Sequence, residues 1–147
     1  LKNGANILTD TYMAAAAVSS VSKRTLNSNV QCILERAPEC IDSSSHTRTA
    51  VGMRRMWLDL EKREEYFERP VVLIGSAPTA LMALLDLIKE GTRKPSLIIG
   101  MPVGFIGVSE SKTRLLKSEL PYIVLEGSKG GASLAAAAVN ALLTATH

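Results

Sequence analysis

The sequence predicts an α/β protein built on a five-stranded parallel sheet with helices on both faces. Three observations lead there. Short apolar runs alternate with helix-length stretches along all 147 residues. No hairpin signal such as Asn-Gly lies between consecutive strands. And Ser96 to Lys112 has the form of one βα unit: the apolar run Leu97 to Ile99 breaks at Gly100 into a loop holding Gly104, Gly107 and Pro102, and Ser109-Glu110-Ser111-Lys112 then opens a helix. Right-handed crossovers leave few topologies for five such strands, and a doubly wound sandwich is the economical one.

Taken in order, Ala5 to Asp10 is a short apolar run ended by an Asp that is either an N-cap or a ligand contact. Thr11 to Val18 is Ala-rich, read as a helix or as the small-residue floor of a pocket. Asn27-Ser28-Asn29 is a turn signal, and Val30 to Leu34 is the second strand. Arg36 to Ser45 reads as loop. Thr47 or Ser45 then caps a long helix, because Val51, Met53, Met56, Trp57, Leu60 and Phe67 approximate a 3.6-residue period. Trp57 on that stripe belongs to the core, and Glu61 to Glu65 to its solvated face.

Val71 to Ile74 is the third strand, and Gly75-Ser76-Ala77-Pro78-Thr79 follows it, with the proline placed for a first helical turn. Leu81, Leu84, Leu85 and Ile88 form one face of that helix, which stops at Gly91. After the fourth strand and its helix, Tyr122 to Leu125 is the fifth strand, and Gly127 to Gly131 opens an Ala-rich helix running to about Ala145.

At this length the chain reads as one domain, residues 1–147, large enough to bury a core without staples. No apolar run approaches a membrane span of about 18–20 residues. Cys32 and Cys40 have neither metal-ligand nor CxxC spacing, so Cys32 reads as a buried reduced thiol, which fits a cytoplasmic protein. Aromatics are 4% of the residues, too few for a base-stacking nucleic-acid module. The net charge of +3 comes from dispersed cations interleaved with acids, a balance that suits a small polyanionic ligand.

Familiar cofactor signatures fail. Gly100, Gly104 and Gly107 give G-x-x-x-G-x-x-G, not the dinucleotide fingerprint, and Gly127 to Gly131 lacks the Walker A spacing. No nucleophile elbow is present, and His46 and His147 cannot make a zinc pair. What remains is three Gly-rich turns after the third, fourth and fifth strands, all expected on one edge of the sheet. Glycine there lets a ligand approach the backbone, and helix starts offer free N–H groups. With Arg48, Lys112 and Lys129 nearby, the expected ligand is broad and bears carboxylates or phosphates.

Ile74 to Ile88, Gly100 to Lys112 and Gly127 to Leu142 resemble the precorrin-8X methylmutase family, whose counterpart in the cobalt-dependent pathway is cobalt-precorrin-8 methylmutase. Asn6 to Met13 is similar to that family's strand leading to an Asp and a Met, and Thr47-Arg48-Thr49-Ala50 to its Thr-Arg-Ser-Ala helix start. The resemblance implies a flavodoxin-like three-layer α/β/α sandwich, a homodimer, and a corrinoid-precursor site near the subunit interface. The implied reaction carries a methyl group from C-11 to C-12 of the macrocycle in cobalamin biosynthesis. It is intramolecular, so no methyl donor, separate cofactor or metal is implied.

The substrate-binding residues carried over are Asp10, Met13, Arg48, Ser76, Pro78, Thr79, Pro102, Val103, Gly104, Phe105, Glu110, Ser111, Lys112, Gly130 and Gly131. A bidentate Arg48–carboxylate pair would fix the macrocycle's orientation. The family's catalytic histidine precedes the first strand found here, so residues 1–147 are expected to be the later part of a family chain, and no catalytic residue is assigned. His46 does not take that role. The alternatives are a non-catalytic corrinoid- or tetrapyrrole-binding module and a flavodoxin-like structural or regulatory domain.

Overall fold

In the computed structural model, which describes residues 1–2, 4–40, 46–63 and 69–147, five strands form one parallel sheet: β1 (Ile7–Thr9), β2 (Val30–Cys32), β3 (Val71–Ile74), β4 (Leu97–Gly100) and β5 (Tyr122–Val124). Their spatial order is β2-β1-β3-β4-β5, the flavodoxin-like doubly wound order. The register aligns Leu8 with Gln31 and Val72, and Val72 with Ile98.

Alternation along the strands sorts the sheet's side chains into two cores. Leu8, Val72, Ile74 and Ile98 face α2 (Arg48–Glu61), α3 (Pro78–Lys89) and α4 (Val108–Leu116), together with Met53, Trp57, Leu84 and Leu115. Ile7, Val71, Leu73 and Ile99 face α1 (Tyr12–Arg24) and α5 (Ala132–Thr146), meeting Ala14, Val18, Ala135, Ala136 and Val139. The small residues of α1 and α5 allow those two helices to pack on each other as well as on the sheet.

The expected elements are present, with informative differences at their ends. The Ala-rich stretch after β1 is helix, capped by Thr11, whose hydroxyl accepts the Ala14 N–H at 3.2 Å, and not by Asp10. The second strand is shorter than Val30 to Leu34: the Glu35 carboxylate accepts the Cys32 N–H at 3.2 Å and turns Ile33–Arg36 into a 3-10 helix. Thr47 caps α2, accepting the Ala50 N–H at 3.1 Å. Ser45 and Phe67 lie outside the described residues, but α2 stops at Glu61, with Lys62 as its C-cap, and so does not continue along the stripe as expected. Trp57 is buried and donates to the Thr92 hydroxyl at 3.0 Å, as a core indole should. Asn27 takes a left-handed backbone, φ 51°, in the expected turn.

Candidate functional site

The order β2-β1-β3-β4-β5 places the point where the winding reverses between β1 and β3, and open sheets bind ligands outside the carboxyl ends of their strands at that point. Asp10 closes β1 there. Its Oδ2 accepts three consecutive backbone N–H groups, from Gly75 at 3.1 Å, Ser76 at 2.7 Å and Ala77 at 2.8 Å. Ala77 has no side chain to cap α3, so the carboxylate supplies the cap from a different strand. Asp10 is fully buried and its Oδ1 has no partner among the described residues. Burial pushes its carboxyl above the usual Asp range, against the lowering effect of the three N–H donors. Asp10 therefore shapes the floor of the site from beneath.

Beside it, three hydroxyls meet where α2 and α3 begin. Thr47 Oγ1 lies 2.6 Å from Thr79 Oγ1 and 3.1 Å from Thr49 Oγ1, and Thr49 lies 3.2 Å from Thr79. Arg48, the first residue of α2, is exposed and donates Nε–H to the Pro38 carbonyl at 2.9 Å. None of its terminal nitrogens is engaged by an acceptor among the described residues. Its stem is thus oriented while its fork stays open to solvent. Pro78, at the first position of α3, connects this group to the next loop: a Cβ on Gly107 would lie 3.8 Å from the Pro78 ring.

The β4–α4 loop, residues 101–107, carries the apolar part of the edge. Met101 and Pro102 are buried, but Val103 is exposed and Phe105 and Ile106 are 91% and 93% exposed, held between Gly104 and Gly107. Met13 (65% exposed) and Tyr12 lie in the first turn of α1, and Leu134 in the first turn of α5. Glu110 is exposed in the first turn of α4. The β4–α4 and β5–α5 loops are pinned together: Gly131 donates to the Met101 carbonyl at 2.9 Å and Gly104 to the Ser128 carbonyl at 3.2 Å. Gly130 is required by this approach, because a Cβ there would sit 2.0 Å from the Met101 oxygen.

Three residues expected to contact the ligand have protein partners. Lys112 is 3% exposed, and its Nζ donates to the carbonyls of Gly127 and Lys129, both at 2.7 Å. Removal from water holds its ammonium pKa below the usual Lys value. Ser111 is fully buried and donates to the Val108 carbonyl at 2.9 Å. Asp10 is fully buried and gives its Oδ2 to three backbone N–H groups. The remaining candidates, Met13, Arg48, Ser76, Pro78, Thr79, Pro102, Val103, Gly104, Phe105, Glu110, Gly130 and Gly131, lie on the elements that border the carboxyl edge. Sequence reasoning missed the hydroxyls of Thr47 and Thr49 as site groups, although the repeated Thr in Thr47-Arg48-Thr49 was visible, and missed Tyr12, Ile106 and Leu134 as exposed apolar groups. Burial also raises the Cys32 thiol pKa, which makes it a poor nucleophile.

Fold and edge together define a flavodoxin-like α/β protein whose carboxyl edge, the candidate site, carries exposed apolar residues on one side and threonine hydroxyls and a guanidinium on the other. The family model for precorrin-8X methylmutase (CbiC) matches residues 1–145. The chain is 43% identical over 148 residues to the precorrin-8X methylmutase of Pseudomonas aeruginosa, covering 98% of this chain and 67% of that one. It is 40% identical over 143 residues to the cobalt-precorrin-8 methylmutase of Synechocystis, covering 97% and 62%. The crystal structure of the Thermus thermophilus precorrin-8X methylmutase superposes with a TM-score of 0.81 at 33% identity, covering 99% of this chain and 68% of that one. The chain belongs to the precorrin-8X methylmutase family, and it spans about two thirds of the length of these relatives.

Proposed function

We propose that the edge binds a precorrin-8-type corrinoid precursor and supports migration of its methyl group from C-11 to C-12, an isomerisation in cobalamin biosynthesis. The carbon–methyl bond at C-11 breaks, the one at C-12 forms, and no donor outside the macrocycle takes part. The observation that carries this reading is the composition of the edge. A wide apolar surface at Phe105 and Ile106 continues through Gly107 and Pro78 to the threonine hydroxyls and the open fork of Arg48. A flat macrocycle rimmed by acetate and propionate groups needs both halves: apolar contact for its face and charge-assisted donors for its rim.

In this reading Arg48 fixes one carboxylate, the Thr47–Thr49–Thr79 group hydrogen-bonds a second polar substituent, and the 103–106 loop shields the macrocycle from water. Proton transfer is assigned to the family's histidine ahead of β1, and His46, exposed in front of α2, takes no part. Residues 1–147 act as one domain, in the cytoplasm, where the free thiols Cys32 and Cys40 stay reduced.

A homodimer is part of the proposal. Ala14, Ala135 and Ala136 pack inside, but Ala16, Ala17, Ala137 and Leu134 leave a small-residue face exposed on α1 and α5. Titration with cobyrinic acid, followed by visible absorption, tests the site: saturable binding at micromolar concentration is expected. Absence of any spectral change up to millimolar ligand would refute it.

A further inference from the structure

Lys112 is a cation nearly sealed from water, with no carboxylate partner among the described residues. A buried unpaired charge is costly, and stability alone would favour an apolar side chain at that place. Its ammonium instead holds the carbonyls of Gly127 and Lys129, while the Gly104 N–H takes the Ser128 carbonyl between them. Three successive carbonyls of the β5–α5 loop are thus committed to donors on α4 and the β4–α4 loop.

Among the described residues every peptide bond is trans. In a trans peptide the carbonyl of one residue and the N–H of the next point in opposite directions. Commitment of the 127, 128 and 129 carbonyls therefore turns the N–H groups of Ser128, Lys129 and Gly130 away from those donors. None of the three donates to an acceptor among the described residues, and Ser128 and Lys129 are exposed. Successive outward backbone N–H groups attract anions.

We infer that Lys112 is a positioning residue: its ammonium clamps the β5–α5 loop so that the backbone N–H groups of Ser128, Lys129 and Gly130 receive a carboxylate of the ligand. That the carboxylate belongs to a corrinoid rests on the function proposed above; the clamp and its anion preference do not. Lys129, exposed on the loop itself, adds a positive charge beside the donors.

Sodium acetate is the probe, with sodium chloride at equal ionic strength as control, read by amide proton–nitrogen shifts of the labelled chain. Acetate is expected to shift the amides of Ser128, Lys129 and Gly130 saturably and to leave the Lys112 ε-methylene resonances unmoved. A shift at the Lys112 side chain without one at the amides would overturn the inference, as would acetate acting no more than chloride. Lys112→Met should speed amide exchange at residues 128–130 in the ligand-free protein and weaken acetate binding about tenfold or more. Amides of β1 and β3 should stay protected, and Lys112→Arg should restore the response. An unchanged acetate response in Lys112→Met also overturns the inference. Should the Met variant not fold, the parent titration decides by itself. A parent chain that takes acetate at these amides and rejects cobyrinic acid refutes the corrinoid reading and leaves the clamp standing.

Discussion

Replacing Gly130 by alanine adds one methyl group at the tightest backbone approach of the site. That Cβ would lie 2.0 Å from the Met101 oxygen, 2.8 Å from the Met101 carbonyl carbon and 2.9 Å from the Pro102 oxygen. All three are backbone atoms, so no side chain can swing aside, and the loops must separate by at least about 1 Å to reach an ordinary contact. Such a separation stretches both bonds that pin the loops, Gly131 to Met101 at 2.9 Å and Gly104 to Ser128 at 3.2 Å. Two hydrogen bonds at about 0.5–1.5 kcal/mol each, with overpacking of about 1–3 kcal/mol, give a loss of roughly 2–6 kcal/mol. For a chain of this size that lowers Tm by about 5–20 °C. Gly127→Ala is the control: it forces a side chain into a positive φ, 79°, a strain that Gly130 does not share, but nothing lies within 4 Å of its Cβ, so it should cost only about 1–2 kcal/mol. Urea titration reads both, with an unchanged m-value showing that only stability moved. If Gly130→Ala were no less stable than Gly127→Ala, the close approach would not be what holds the loops together.

Arg48→Ala should weaken cobyrinic acid binding about 10- to 100-fold, as loss of charge-assisted hydrogen bonds of roughly 1.5–3 kcal/mol requires. Arg48→Lys should recover only part of it, because an ammonium lacks the planar fork; absorption titration compares the three. The Asp10 carboxyl has its pKa raised by burial, so its folded form favours the proton. The stability it contributes is fullest below the ordinary Asp range and is lost as pH rises through the folded value. Urea midpoints of the parent should therefore fall, relative to those of Asp10→Asn, as pH increases, and parallel curves would contradict the assignment. His46→Ala should leave single-turnover conversion in an active family enzyme carrying this segment nearly unchanged, since the residue is an exposed loop group. Sedimentation equilibrium should show a dimer at micromolar concentration; a monomer throughout would remove the α1/α5 face from the proposal.

Alternating apolar runs and Gly- or Pro-marked turns sufficed for five strands, the four helices after β2 and the edge that bears the loops, because each rests on neighbours in sequence; the Ala-rich stretch after β1 reads equally as helix or pocket floor until α1 is seen. What escaped depends on partners far along the chain. Asp10 looked like a local cap or a ligand group, yet its Oδ2 caps a helix from another strand, accepting the N–H groups of residues 75–77. Lys112 looked like a cation for the ligand, since nothing local reveals that carbonyls fifteen and seventeen residues later enclose it. The short β2 was in principle legible: Glu35 stands three residues after Cys32, the spacing of a helix start, but the apolar Val30 to Leu34 run outweighed it. Membership of the family was carried by the loop motifs themselves, and these are the parts that periodicity cannot read.

The mutual packing of α1 and α5 has a consequence for synthesis. These two helices cover Ile7, Val71, Leu73 and Ile99, yet α1 ends at Arg24 and α5 begins at Ala132. At about 5–20 residues per second, ribosomes reach α5 roughly 5–20 s after finishing α1. Throughout that interval one flank of the nascent sheet has half its roof, and its most apolar strands, β3 and β4, arrive before the helix that shelters them. The Ala-rich α5 thus works as a closing panel, and a chain stalled before Ala132 exposes a ready surface to chaperones or to other unfinished chains.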